Sequence, residues 1–425
     1  MLSLDLDNLH KISQINSQNG VSKEDLDNWS NKYSHYNDLV ISRKQGFLDL
    51  PKDLEIIKKI ETYSKSIQGK YKYLIILGIG GSMLGPQVIL QALDTPQARK
   101  NRGFTQDLQV FCVDNSDPFL ISEIAGQIEI AKTLVLVQTK SGGTPETLAQ
   151  YLYFKEIAEK ANLSLKNHFV FVTDPEVGYL RKLATSLDIP SFEVPLNVGG
   201  RFSVLSSIGL VLAGILGLDL HKMLAGANDV NFVAAFNMSV CQYELSKKGK
   251  NITVLMPYSS RLKTLSNWYV QLLSESVGKE FNLENKKVNV GLTPVPALGA
   301  TDQHSQLQLF KEGPDDKLII FLSVKDYQAK TTIPEDENFP YLANRSFEDL
   351  IKAEFLGTRQ SILESEKANL TLEIDKVDEY SLAQLFMFLQ LNVAYLGEMF
   401  GINTFDQPGV ERSKVLTKEI LETNN

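Results

Sequence analysis

The chain has 425 residues, 43% of them hydrophobic and 22% charged, with a formal net charge of -8. That balance is that of an ordinary globular protein long enough for two or three domains, and it excludes a basic nucleic-acid binder, a low-complexity chain and a disulfide-built scaffold. The two cysteines, Cys112 and Cys241, lie in apolar surroundings without metal-ligand spacing, so they are expected to be reduced core residues of a cytoplasmic protein.

The N-terminal run MLSLDLDNLHK has no basic region leading into an apolar core and does not read as a secretory signal. Residues 1–45 read as helical and peripheral. From residue 73 onward, short β-rich runs alternate with helical patterns, the mark of a parallel sheet covered by helices. Strands are expected at 73–77, 110–113, 133–137 and 168–172, with a brief one at 191–194. The stretch 204–220 is strongly apolar, but Ser206, Ser207 and glycines interrupt it and Asp219 lies inside its end, so it predicts a buried helix rather than a membrane span. A second series of strands is expected at 251–256, 317–324 and 370–374, and the last 25 or so residues read as helical. Two closely packed α/β units follow, since no Pro/Ser-rich linker separates them.

Two loops have the composition of phosphate sites. GIGGS, 78–82, follows the first strand. It is not a dinucleotide fingerprint, which needs glycine where Met83 stands, and not a P-loop, because Gly85 is followed by Pro86. Its glycines would instead let backbone approach a ligand, with Ser82 on the crevice that also receives the loop after the third strand; a tight strand-to-helix turn that needs glycine for its geometry is the alternative. That second loop opens TKSGGTPET, 139–147. Thr144 suits a helix N-cap, Pro145 the first helical position and Glu146 the first turn. Backbone N–H groups freed by Gly142 and Gly143, together with the hydroxyls of Thr139, Ser141 and Thr144, would surround a dianion; an ordinary capped turn is the alternative.

Three further segments hold charged groups suited to proton chemistry. NVGGRFS, 197–203, sets Arg201 after two glycines, and a guanidinium that stays protonated suits an oxyanion. In QLLSESVGKE, 271–280, Glu275 closes an amphipathic helix before Gly278, where a carboxylate opposes the helix dipole and is favoured as a base. GATDQHSQ, 299–306, places His304, one of five histidines, beside Asp302, Gln303 and Ser305. Finally, in FDQPGVERSK, 405–414, a turn at Pro408 and Gly409 leads to Lys414 on a terminal helix. Taken singly, each of these reads as readily as a paired or solvated side chain.

Taken together, they resemble the glucose-6-phosphate isomerase, or phosphoglucose isomerase, family over residues 73–414. NVGGRFS and FDQPGVERSK are similar to its two diagnostic signatures, GIGGS and TKSGGTPET to its phosphate loops, and SESVGK to its catalytic glutamate segment. The resemblance implies an α/β fold of two sugar isomerase domains, each a mainly parallel sheet flanked by helices. These would occupy 46–200 and 201–400, with a helical extension over 1–45 and a C-terminal segment over 401–425.

It also implies reversible isomerisation of glucose 6-phosphate and fructose 6-phosphate through ring opening and a cis-enediolate, in glycolysis and gluconeogenesis. The enzyme would be a homodimer with shared active sites, needing no metal and no organic cofactor and binding neither nucleic acid nor membrane. By the resemblance, His304 from the neighbouring subunit opens the ring with Lys414, Glu275 shuttles the proton, and Arg201 stabilises the enediolate. Gly80, Ser82, Thr139, Lys140, Ser141 and Thr144 would bind substrate, with Glu146 and Gln407 as hydrogen-bond partners of sugar or catalytic groups. The chain departs from the commonest pattern at Thr139, where serine is usual, at Gly143 and Pro145, where threonines are frequent, and at Val277, where asparagine is common. A non-catalytic phosphosugar-binding protein would need the two loops but not the base and its cations.

Overall fold

The computed structural model describes residues 2–95, 98–99 and 108–423. The chain begins with a short strand, β1 (Ser3–Asp5), followed by helices Asp7–Ile15, Lys23–Ser30 and Tyr33–Ser42. This N-terminal segment is not only helical and peripheral, as its sequence suggested: β1 pairs antiparallel with a strand near the far end of the chain, and Leu9 and Ile12 are fully buried.

The next five strands, β2 (Tyr73–Leu77), β3 (Gln109–Val113), β4 (Thr133–Thr139), β5 (Phe169–Thr173) and β6 (Ser191–Glu193), form one wholly parallel sheet in the order β3-β2-β4-β5-β6. They match the expected strands to within two residues. Period-two alternation divides each strand between two cores. In β2, Leu74 and Ile76 face a large central cluster, while Ile75 and Leu77 pack with Tyr151, Phe154, Phe169 and Phe171 on the other face.

Strands β7 (Ile252–Pro257), β8 (Lys279–Phe281), β9 (Lys287–Val290), β10 (Thr293–Pro296), β11 (Lys317–Asp326) and β12 (Asn369–Lys376) follow. β8 and β9 pair only with each other; the rest join β1 in a second sheet, ordered β1-β12-β11-β7-β10 and parallel except at β1. Here too the faces separate, Ile320 and Leu322 pointing to the central cluster and Ile319 and Phe321 to an outer one. The two sheets therefore share one interior. It is filled by apolar helices, among them Ser207–Ile215, buried along its whole length, and Glu379–Phe400, which Gly401 ends in a left-handed conformation at φ 65°. No helix among the described residues is long and apolar enough to cross a membrane.

The strand order positions the site. From β2 the chain moves outward to β3 and then returns to the other side of β2 with β4, so the direction of winding reverses between β2 and β4. In parallel α/β sheets the crevice outside the carboxyl ends at such a reversal is where ligands bind. The loops 78–82 and 139–144 leave these two strands there.

Candidate active site

The loop after β2 turns through a 3-10 segment, Gly80–Ser82, with Gly80 at φ 56°. A β-carbon on Gly81 would lie 2.2 Å from the carbonyl oxygen of Gly200, so glycine alone permits this loop to touch the turn that carries Arg201. Ser203 reinforces the turn, its hydroxyl donating to the Gly200 carbonyl at 2.6 Å.

After β4 the chain folds back at Gly142, φ 63°, which packs against Gly178. Thr144 is the N-cap of helix Pro145–Lys160 and Pro145 its first residue, as expected, but the Thr144 hydroxyl makes no capping bond. It turns instead to Thr139 Oγ1 at 2.7 Å and lies 3.4 Å from Ser141 Oγ. Three hydroxyls thus cluster at a helix N-terminus whose first-turn N–H groups lack that cap, a ready anion cradle. Lys140 beside it donates to the Leu196 carbonyl at 3.2 Å, and burial lowers its ammonium below the usual lysine range, opposed by Asp174. Glu146 sits in the first turn of the same helix, half-buried.

Arg201 lies within the turn Gly200–Phe202 and is 2% exposed. Its Nε donates to Ser276 Oγ at 2.9 Å. One terminal nitrogen donates to Glu275 Oε2 at 3.3 Å and to Gln407 Oε1 at 2.9 Å. The other donates to the carbonyls of Thr404 and, at 3.1 Å, Asp406. A guanidinium has five N–H donors, and all five are engaged. Burial pulls the group down from its ordinary value while Glu275 and Asp406 push it back up.

Glu275 approaches from the helix Lys263–Val277, two residues before Val277, which ends it, and three before Gly278 takes over as cap. Its side chain keeps 29% exposure, enough to meet a ligand, with its second oxygen accepting from Gln271 Nε2 at 3.1 Å. Gln271 was not foreseen. It stands one turn earlier on the same helix face, where residues four apart meet, and Gly80 leaves room for its amide. Glu275 and Gln407 also line an open cavity of about 690 Å³ with Lys279, Asp406 and Phe281.

Arg201, Glu275 and Gln407 are therefore brought together, and the Gly80 loop joins them through Gly81 and Gln271. His304 and Lys414 are not part of this cluster within one chain. His304 ends the exposed turn Thr301–His304, held from behind where Leu298 N–H donates to Asp302 at 2.7 Å and Gln303 donates to the Tyr258 hydroxyl at 2.7 Å. Lys414 lies on the exposed helix Glu411–Thr423 and pairs with Glu411 at 2.7 Å. Among the described residues no three His, Cys, Asp or Glu side chains converge as a metal site requires.

A reversal-point anion cradle in a doubly wound sheet, with a buried guanidinium bound to a carboxylate, is an arrangement fit for a phosphorylated small molecule. The fold is that of the phosphosugar isomerases: tagatose-6-phosphate ketose/aldose isomerase from Escherichia coli superposes with a TM-score of 0.52 at 12% identity, over 84% of this chain and 92% of that one. Within that class the chain belongs to the phosphoglucose isomerase family, whose sequence model matches residues 40–425. It is 38% identical to a glucose-6-phosphate isomerase from Carboxydothermus hydrogenoformans, over 94% of this chain and 91% of that protein. It is 32% identical to one from Methanocaldococcus jannaschii, over 99% and 100%. The crystal structure of a hypothetical protein from Thermus thermophilus matches with a TM-score of 0.87 at 32% identity, over 99% of this chain and 100% of that one.

Proposed function

We propose that this protein interconverts glucose 6-phosphate and fructose 6-phosphate with Glu275 as the base. The observation that carries the residue assignment is the Arg201 guanidinium, donating at once to Glu275 and Gln407 beside the loop that leaves β2. Gly80, Ser82, Thr139, Lys140, Ser141 and Thr144 hold the phosphate. The carboxylate of Glu275 removes the proton from carbon 2 of the open-chain aldose, and negative charge passes to the carbonyl oxygen on carbon 1. The resulting cis-enediolate lies in the field of Arg201. Return of the proton to carbon 1, with transfer of the hydroxyl proton between the two oxygens, leaves the ketone on carbon 2. Gln407 and Glu146 orient sugar hydroxyls or the catalytic groups.

Ring opening falls to His304 with Lys414. Since His304 stands on an exposed turn outside the Glu275 cluster, it acts from a second copy of the chain, and the working unit is a homodimer with shared sites. The sugar isomerase domains extend over 46–200 and 201–400, and the enzyme works in the cytoplasm on the glycolytic and gluconeogenic interconversion. Proton transfer by a carboxylate in a fixed field needs neither metal nor organic cofactor. The test is a coupled assay converting fructose 6-phosphate to glucose 6-phosphate with purified protein and added chelator: turnover is expected, and its absence overturns the reading.

A further inference from the structure

Lys279 has no place in the roles above, yet its side chain is only 6% exposed. Its ammonium donates to the main-chain carbonyl of Glu275 and, at 3.0 Å, to the main-chain carbonyl of Asp406; the Asp406 carboxylate stands 3.6 Å away. The Glu275 carbonyl belongs to the last turn of its helix, where carbonyls have no helical partner. Asp406 immediately precedes Gln407, and Arg201 donates to the same Asp406 carbonyl. Burying an ammonium is costly unless its hydrogen bonds are restored, and here they are restored by two backbone groups on either side of the site.

We infer that Lys279 is a positioning residue for the isomerisation, its ammonium tying the backbone of Glu275 to that of Asp406 so that the carboxylate and Gln407 keep their spacing. The inference rests on Glu275 being the base. With its donors committed to protein acceptors, Lys279 touches no reacting atom. Burial and the charge of Arg201 hold it below the usual lysine range, opposed by Asp406 and Glu275.

Turnover by the wild-type protein and its loss in E275Q are measured first; an inactive wild type or an active E275Q overturns the underlying reading without involving Lys279. K279M keeps an unbranched stem and removes the donors. It is expected to lower kcat roughly 10- to 100-fold, the cost of a small misplacement of a reacting group, while KM for fructose 6-phosphate and inhibition by inorganic phosphate stay within about threefold. K279R, which keeps charge and donors, should recover part of kcat. A K279M kcat within about twofold of wild type overturns the proposal, as does a fall in kcat matched by equal losses in KM and phosphate inhibition. Should K279M not fold, K279A is assayed with and without added propylamine. Amine-dependent return of kcat supports the positioning role; no return, or a chain that folds with neither substitution, makes Lys279 a residue of the fold alone and overturns it.

Discussion

Gly81 and Gly200 meet backbone to backbone, so that a β-carbon on Gly81 would stand 2.2 Å from the Gly200 carbonyl oxygen and 2.8 Å from the Arg201 amide nitrogen. Neither neighbour is a flexible side chain, and relief requires moving the turn that holds Arg201. Gly81→Ala should therefore cost about 1–3 kcal/mol of stability, as overpacking does, and depress kcat by displacing the guanidinium. Gly126→Ala is the control: it lies in helix Pro118–Gln127 with open space around it and should be neutral or stabilising by up to about 1 kcal/mol. Urea unfolding and steady-state kinetics on both variants decide it, and equal stability of the two would contradict the close contact.

Glu275→Gln keeps the shape of the side chain and can still accept a hydrogen bond from Arg201. It has no useful basicity. Substrate affinity should stay near wild type while kcat falls about a thousandfold, within the range that general-base catalysis supplies. Exchange of the carbon 2 hydrogen with solvent, followed by NMR, should fall in parallel; exchange at the wild-type rate would place the base elsewhere.

Substrate affinity should weaken on the alkaline side at a lower pH than an ordinary lysine would dictate. The cause is Lys140, whose pKa burial lowers in spite of Asp174. The sign follows from charge: the protonated ammonium attracts the phosphate, so affinity is highest below the Lys140 pKa and falls as pH rises through it. A phosphate monoester is already a dianion above about pH 7, so the ligand itself contributes no change there. Lys140→Met should bind more weakly and show no such limb in KM against pH. A limb that persists in this variant would assign the titration to another group.

Mixed subunits test the shared site. His304→Ala and Glu275→Gln homodimers should each be nearly inactive, but a heterodimer has one site with both an intact glutamate and an intact histidine. At equal mixing and full exchange, activity should rise to roughly a quarter of wild type, because half the dimers are mixed and each has one competent site. Native mass spectrometry follows exchange while activity is recorded. Heterodimers as inactive as their parents would confine His304 to its own chain or remove it from ring opening.

The most legible strands are those buried on both faces, such as β2, β4 and β5, whose continuous apolar runs cannot be surface, while β3 and β6, partly exposed, were found by their place in the strand–helix alternation. Those that were missed lack that mark. β10 contains Pro294 and Pro296 and survives because it is an edge strand, where a missing N–H costs little. β8 and β9 are short and mostly exposed, and β1 is three residues long, so none shows alternation. At the site, Arg201, Glu275 and Gln407 were singled out through the resemblance of NVGGRFS, SESVGK and FDQPGVERSK to family motifs, while the glycines and helix end that frame the first two, taken singly, read as readily as a paired or solvated side chain. Gln271 was not, since a glutamine on an amphipathic helix has no compositional signal; its position four residues before Glu275 was the available clue. Lys279 was hidden for a similar reason: nothing in the sequence marks a lysine after glycine as buried.

The full engagement of the Arg201 guanidinium has a consequence for the energetics of turnover. With no N–H left over, swinging toward an arriving sugar would break hydrogen bonds already made, so the charge is held in place before any ligand arrives. Substrate thus enters an electrical landscape set in advance by Ser276, Glu275, Gln407 and two backbone carbonyls. If Glu275 is the base, negative charge would move from its carboxylate onto the sugar oxygens without the cation having to follow, and the reorganisation that solvent would demand at that instant would already have been completed during folding.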